Sequence, residues 1–273
     1  MIARTRFKKD IVAEFLPPAP VRHSGLRRGK PAEVIIFCGG MPELPRFPQV
    51  LEFWSKKGFW VFLPRYRGTW ESGGEFLKQS PEKDILDAID ELPKGFTDLW
   101  SGKHYKLPTK NYKLYLFGGS FGGPAAILLS RDSRVTKAFA FAPVTDWKAP
   151  SKDEPMGRLG AFIPEAFGLG YRFSKKNWGR LSRNEFYSPV SLLSSPPFQR
   201  GSAESSKRGG RNFDGSKLLI FHAKDDHSVP YSYTKKFAEK TGAKLITLRA
   251  GGHFGFSKSI EPKIYTQIKK FLS

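Results

Sequence analysis

Three short apolar runs constrain this chain most: Val34-Ile35-Ile36-Phe37-Cys38, Phe59-Trp60-Val61-Phe62-Leu63 and Leu114-Tyr115-Leu116-Phe117. Runs of this length without polar alternation are characteristic of strands buried on both faces, as in a parallel sheet covered by helices. Helical patterns separate them. Phe47 to Lys57 reads as one helix, stopped by Gly58. Ser80-Pro81-Glu82 opens another, with Ser as cap, Pro at the first helical position and acidic residues at the positive helix end. Its Ile85, Ala88, Ile89 and Leu92 share one face. Further strands are read at Ile11–Leu16, taken as the first, and at Val135 to Pro143, Leu218 to His222 and Lys244 to Leu248. A closing amphipathic helix carries Ile264, Ile268, Phe271 and Leu272. Strand and helix in alternation predict an α/β fold with a mostly parallel central sheet, and 273 residues suffice to bury it as a single domain, 1–273.

The rhythm breaks once, between 147 and 215. Phe162, Phe167, Tyr171, Phe173 and Trp178 predict a cap over a site there, and the Gly/Ser-rich basic stretch 201–211 predicts a flexible loop. Met1 to Pro20 is polar, broken by Lys8, Lys9, Asp10 and Glu14, and no apolar run approaches the ~18 residues of a membrane span. The expected location is cytoplasmic. Cys38 is the only cysteine, which excludes an intramolecular disulfide and a thiolate metal cluster. The charge is +21, from 46 Lys and Arg against 25 Asp and Glu. Such a surface attracts anionic partners. Nucleic acid is not favoured, because the basic residues are spread over every third of the chain without an aromatic-interleaved motif.

Gly118-Gly119-Ser120-Phe121-Gly122 fits G-x-S-x-G, and it lies between an apolar strand and a helical segment. That context is the sharp strand-to-helix turn that presents a nucleophilic serine above a sheet. Ser120 needs a base, and a carboxylate to orient it. Lys224-Asp225-Asp226-His227 follows one later strand and Gly251-Gly252-His253 follows the last, so acid and base candidates reach the same sheet edge. His253 is the expected base; Asp225 and Asp226 compete for the orienting role. His222 reads as a packed structural residue and His227 as a turn residue. No ligand spacing supports a metal site built from His222, Asp226 and His227. Oxyanion donors are expected from the Phe121 N–H and from Gly40 or Met41 in the loop after Cys38.

Assembled in order, these features resemble the α/β-hydrolase superfamily, from about Ala32 to the end, and within it the prolyl oligopeptidase and dienelactone hydrolase branch. The likeness is carried by Arg65-Tyr66-Arg67-Gly68 with Ser72-Gly73-Gly74, by Gly118 to Gly123, and by Phe141-Ala142-Pro143-Val144-Thr145-Asp146-Trp147. Ser188-Pro189, Asp226-His227-Ser228-Val229-Pro230 and Gly252-His253 complete it. The resemblance selects Asp226 through its D-x-x-V-P spacing. It implies a cofactor-independent Ser120–Asp226–His253 serine hydrolase. Two departures are visible. Cys38 stands where prolyl oligopeptidases carry an oxyanion tyrosine, and the residues before Ala32 are too few for their β-propeller. Both favour an ester over a peptide. The expected substrate is a small ester, then a short peptide or a thioester; a non-catalytic module for acidic partners ranks last. The pocket is expected from Trp70, Phe162, Phe167, Tyr171 and Phe254.

Overall fold

A computed structural model describes residues 2–20, 31–44, 46–107, 112–193, 213 and 215–273. The strands among them are β1 (Ala3–Phe7), β2 (Ile11–Leu16), β3 (Ala32–Cys38), β4 (Trp60–Pro64), β5 (Phe96–Thr97), β6 (His104–Tyr105), β7 (Tyr112–Gly119), β8 (Val135–Phe141), β9 (Leu218–Ala223) and β10 (Lys244–Leu248). The α-helices are α1 (Pro48–Lys56), α2 (Glu82–Glu91), α3 (Gly123–Leu129), α4 (Met156–Phe167), α5 (Lys175–Ser182), α6 (Tyr231–Thr241) and α7 (Pro262–Leu272). Eight strands form one sheet in the order β1-β2-β4-β3-β7-β8-β9-β10, and β5 and β6 form a separate hairpin. From β4 to β10 across the main sheet every pairing is parallel, while β2 runs antiparallel to β4 and β1 to β2.

The apolar runs are strands because both faces are covered. Side chains alternate along each strand, so Leu114 and Leu116 enter one core while Tyr115 and Phe117 enter the other. On the first face lie Ile85 and Ile89 of α2, Ala125 and Ala126 of α3 and Phe237 of α6. On the second lie Val50, Leu51 and Trp54 of α1 with Ile264 and Ile268 of α7. Trp54 is fully buried, and its indole N–H donates to Ser259 Oγ at 3.0 Å, tying α1 to the segment before α7.

The structure departs from the sequence reading at several elements. Ile11–Leu16 is not the first strand: β1 precedes it, paired Ala3 with Phe15 through Phe7 with Ile11. Helix α6, unforeseen, fills the connection between β9 and β10. Ser80 does not cap α2 with its side chain; its hydroxyl bonds the Glu82 carboxylate, and its carbonyl accepts the Lys83 N–H at 2.9 Å. Between β8 and β9, α4 and α5 pack on the first core through Leu159, Ile163, Trp178 and Leu181. The stretch 201–211, expected to be a flexible loop, lies outside the described residues.

Candidate active site

Strand β7 runs straight into a 3-10 turn, Ser120–Gly122, and then α3. The junction leaves no room for side chains. A Cβ on Gly118 would lie 2.2 Å from the Gly122 carbonyl oxygen, and one on Gly122 would lie 2.0 Å from that of Cys38. The tight turn drives Ser120 to φ +50°, a left-handed conformation that is costly for any residue with a Cβ. It aims Oγ off the sheet edge, at the amino end of α3.

Two other loops on that edge converge on Ser120. His253 Nε2 lies 2.9 Å from Ser120 Oγ, and His253 Nδ1 lies 2.8 Å from Asp226 Oδ2. The Asp226 side chain is wholly buried and that of His253 is 23% exposed. Burial alone would raise the Asp226 carboxyl. Hydrogen bonds from His222 and His253, the attraction of a protonated His253 and the Val229 N–H outweigh burial and hold it well below the usual carboxylate range. Asp225 does not touch His253. Its carboxylate accepts the Gly252 N–H at 3.0 Å and the Gly251 N–H at 3.2 Å, so it staples the loop that carries His253. Those two bonds, Gly252 first, lower its carboxyl. The packed-residue reading of His222 is incomplete: its ring bonds Asp226 directly.

Of the expected oxyanion donors, Phe121 stands next to Ser120 on the turn. Gly40 is engaged elsewhere: its N–H is taken by the Glu43 carboxyl, which lies against the faces of Gly39 and Gly40. Burial raises that carboxyl to about 8, against the pull of the Gly40 N–H. Met41 borders both cavities at Ser120, and so does Glu154. Burial raises the Glu154 carboxyl; a protonated His253 would oppose that, and Asp226 and Asp153 add to it. The smaller cavity, about 40 Å³, is walled by Val144, Trp147, Met156, Leu159 and Val229. The larger, about 410 Å³, is walled by Phe47, His253, Phe254 and Phe256, with Glu43 and Lys258 at polar positions.

Only Phe254 of the five expected pocket residues lines either of these cavities. Trp70, Phe167 and Tyr171 pack on one another instead, with ring centroids 5.7 to 6.3 Å apart, because each finds an apolar neighbour there. Phe162 leans on Phe167 and is 47% exposed. Tyr171 acts at one remove: its hydroxyl accepts the Glu43 N–H at 3.0 Å and so braces the loop holding Met41. Glu43 and Glu154 had no motif to signal them, being loop acids that only tertiary packing brings to Ser120. Cys38 is fully buried, and burial pushes its thiol far up, as for a small core residue.

A model of the prolyl oligopeptidase family matches residues 45–273. None of the curated proteins compared matches the chain. Among solved structures, the Pyrococcus horikoshii acylaminoacyl peptidase is similar at 13% identity and a TM-score of 0.56, over 99% of this chain and 40% of that one. The chain thus spans about 40% of the length of the acylaminoacyl peptidases it matches. A Pyrococcus furiosus esterase is similar at 14% identity and a TM-score of 0.58, over 100% of this chain and 91% of that one. An esterase of Butyrivibrio proteoclasticus with ferulic acid bound is similar at 16% identity and a TM-score of 0.56, over 98% and 97%.

Proposed function

The chain belongs to the prolyl oligopeptidase family and has the α/β-hydrolase fold, and on that premise we propose that it is a serine hydrolase that cleaves carboxylic esters. The observation that carries the proposal is the unbroken hydrogen-bonded line from Ser120 Oγ through His253 to Asp226. Ser120 Oγ attacks the carbonyl carbon while His253 Nε2 takes its proton. Asp226 holds the Nδ1–H tautomer and stabilises the imidazolium. The backbone N–H groups of Phe121 and Met41 receive the oxyanion, Gly40 being bound to Glu43. His253 then protonates the leaving group, and a water activated at the same nitrogen releases the acyl group from Ser120. The apolar cavity of about 40 Å³ suits a short acyl chain, and the roomier one of about 410 Å³ suits the leaving group. The described part of the insert, residues 147–193, acts as a cap, with Met156 and Leu159 of α4 closing the smaller cavity.

Peptide cleavage is the second reading, favoured by the peptidase structures among the similar folds. One experiment separates the outcomes. Wild type and Ser120→Ala are treated with a fluorophosphonate probe, then assayed on short and medium p-nitrophenyl esters and on a prolyl amide. Labelling of wild type alone, with ester turnover ahead of amide turnover, is the expected result. Equal turnover by Ser120→Ala refutes the mechanism, and faster amide cleavage moves the substrate to peptides.

A further inference from the structure

Asp226 has a second histidine. His222 lies on β9, fully buried, beside the carboxylate. Its Nε2 is 2.9 Å from the Val229 carbonyl oxygen and 3.1 Å from Asp226 Oδ2. A carbonyl oxygen only accepts, so the proton sits on Nε2, and that one N–H is shared between the two oxygens. Nδ1 is buried without a hydrogen-bond partner among the described residues. A proton there would have no acceptor, so the pocket accommodates the neutral Nε2–H tautomer. The edge of the ring packs against Tyr231, centroids 5.7 Å apart and planes at 88°.

We propose that His222 is a positioning residue for the reaction, fixing the carboxylate that orients His253; the inference rests on the Ser120–His253–Asp226 reading above. The carboxylate is held at four points. Oδ1 accepts the Ser228 N–H at 3.0 Å and the Val229 N–H at 2.8 Å. Oδ2 accepts His253 Nδ1–H and His222 Nε2–H. The two N–H groups on Oδ1 come from its own turn. Among the described residues, only His222 ties Oδ2 to the rigid sheet. The same N–H ties the Val229 carbonyl, and Val229 walls the smaller cavity beside Ser120. One donor thus links the orientation of the base to the wall that seats the acyl group.

The test compares His222→Gln with His222→Asn in the full chain. Both are polar and close in size. A Gln amide nitrogen extends to the place of Nε2, whereas an Asn amide stops near Nδ1. Asn is expected to lower kcat about 10- to 100-fold, the cost of a small misplacement of a catalytic group, with KM within about twofold. Gln is expected to keep kcat within about threefold of wild type. The low-field proton resonance of the His253 Nδ1–H hydrogen bond should shift in Asn and stay in Gln. Thermal unfolding and stoichiometric fluorophosphonate labelling establish that each variant is folded. Wild-type kcat in Asn, or an equal loss in Gln and Asn, overturns the proposal and leaves His222 a packing residue. Ser120→Ala run alongside separates the two levels: turnover surviving in it would overturn the mechanism itself.

Discussion

Ser120 keeps its φ of +50° because the surroundings hold it from both sides. Its carbonyl accepts the Val144 N–H at 3.2 Å and the Gly123 N–H that closes the turn. Strain of this kind persists where the neighbouring structure over-determines it. The carboxylate is the next dependency. Asp226→Asn removes the acceptor that selects the Nδ1–H tautomer of His253, so kcat should fall by about 10⁴ with the fold intact. A loss under tenfold in steady-state ester hydrolysis would mean that another acid orients the base. Glu43 offers a pH test. Its carboxyl is raised from 4.5 to about 8 in the folded chain, chiefly by burial. A raised carboxyl contributes stability below its unfolded value and loses it as pH climbs through the folded one. Wild type should therefore lose stability between pH 4.5 and 8 relative to Glu43→Gln, which keeps an acceptor for Gly40. The melting temperature of Glu43→Gln minus that of wild type should rise from pH 5 to pH 9; a constant difference would show that burial of Glu43 has no such cost.

At the scale of elements, the β7–α3 junction is set by backbone proximity. Gly122→Ala drives a methyl to 2.0 Å from the Cys38 carbonyl oxygen, which is backbone and cannot swing away. The expected loss is about 3 kcal/mol in urea unfolding, the upper part of the usual overpacking range. A loss below 1 kcal/mol, on the order of an ordinary surface change, would mean that β3 and the turn separate easily. The β1–β2 hairpin turns at Lys8 and Lys9, with φ of +45° and +66°. Such a turn normally carries Asn-Gly. Lys9→Gly should therefore stabilise the chain by about 1 kcal/mol, since relief of the left-handed strain outweighs the glycine entropy. The same turn explains why β1 was illegible. Its inward residues Ala3, Thr5 and Phe7 alternate with Arg4 and Arg6, and the two left-handed turn positions carry Lys8 and Lys9 rather than Asn or Gly, with Asp10 alone as a turn former. Helix α6 was hidden likewise, because it buries only Thr234, Phe237 and Ala238 and leaves the rest polar.

At the scale of the whole molecule, the charge of +21 acts over distances the cavity walls do not. It should concentrate anionic substrates at the surface and lose that effect as salt screens it, over about 10 Å at 0.1 M. For an anionic thioester, kcat/KM should fall steeply between low and moderate ionic strength, while for a neutral p-nitrophenyl ester it should stay level. Parallel profiles for the two substrates would remove any role for the charge in substrate capture. Among the described residues, no helix is long and apolar enough to cross a membrane.

The alternating apolar runs, the glycines around Ser120 and the order of Ser, Asp and His along the chain were written locally. The runs and the glycines were legible because burial on two faces and a turn without Cβ atoms each need particular residues at fixed separations, whereas Asp226 was set apart from Asp225 by the family resemblance, through its D-x-x-V-P spacing. The lining of the cavities was not local. Phe162, Phe167, Tyr171 and Trp70 looked like a pocket because they are large and apolar, yet apolar side chains pack wherever neighbours are available: these pack on one another, and Trp70 and Tyr171 line a small cavity beside Gly39, Gly40 and Glu43 rather than one at Ser120. Glu43 on Gly40, Asp225 on the His253 loop and His222 on Asp226 join residues from different connections of the sheet or across a turn. The Asp225 bonds span 26 and 27 residues, and the other two, though near in sequence, depend on how each turn is held by its surroundings, so only the tertiary structure could decide them.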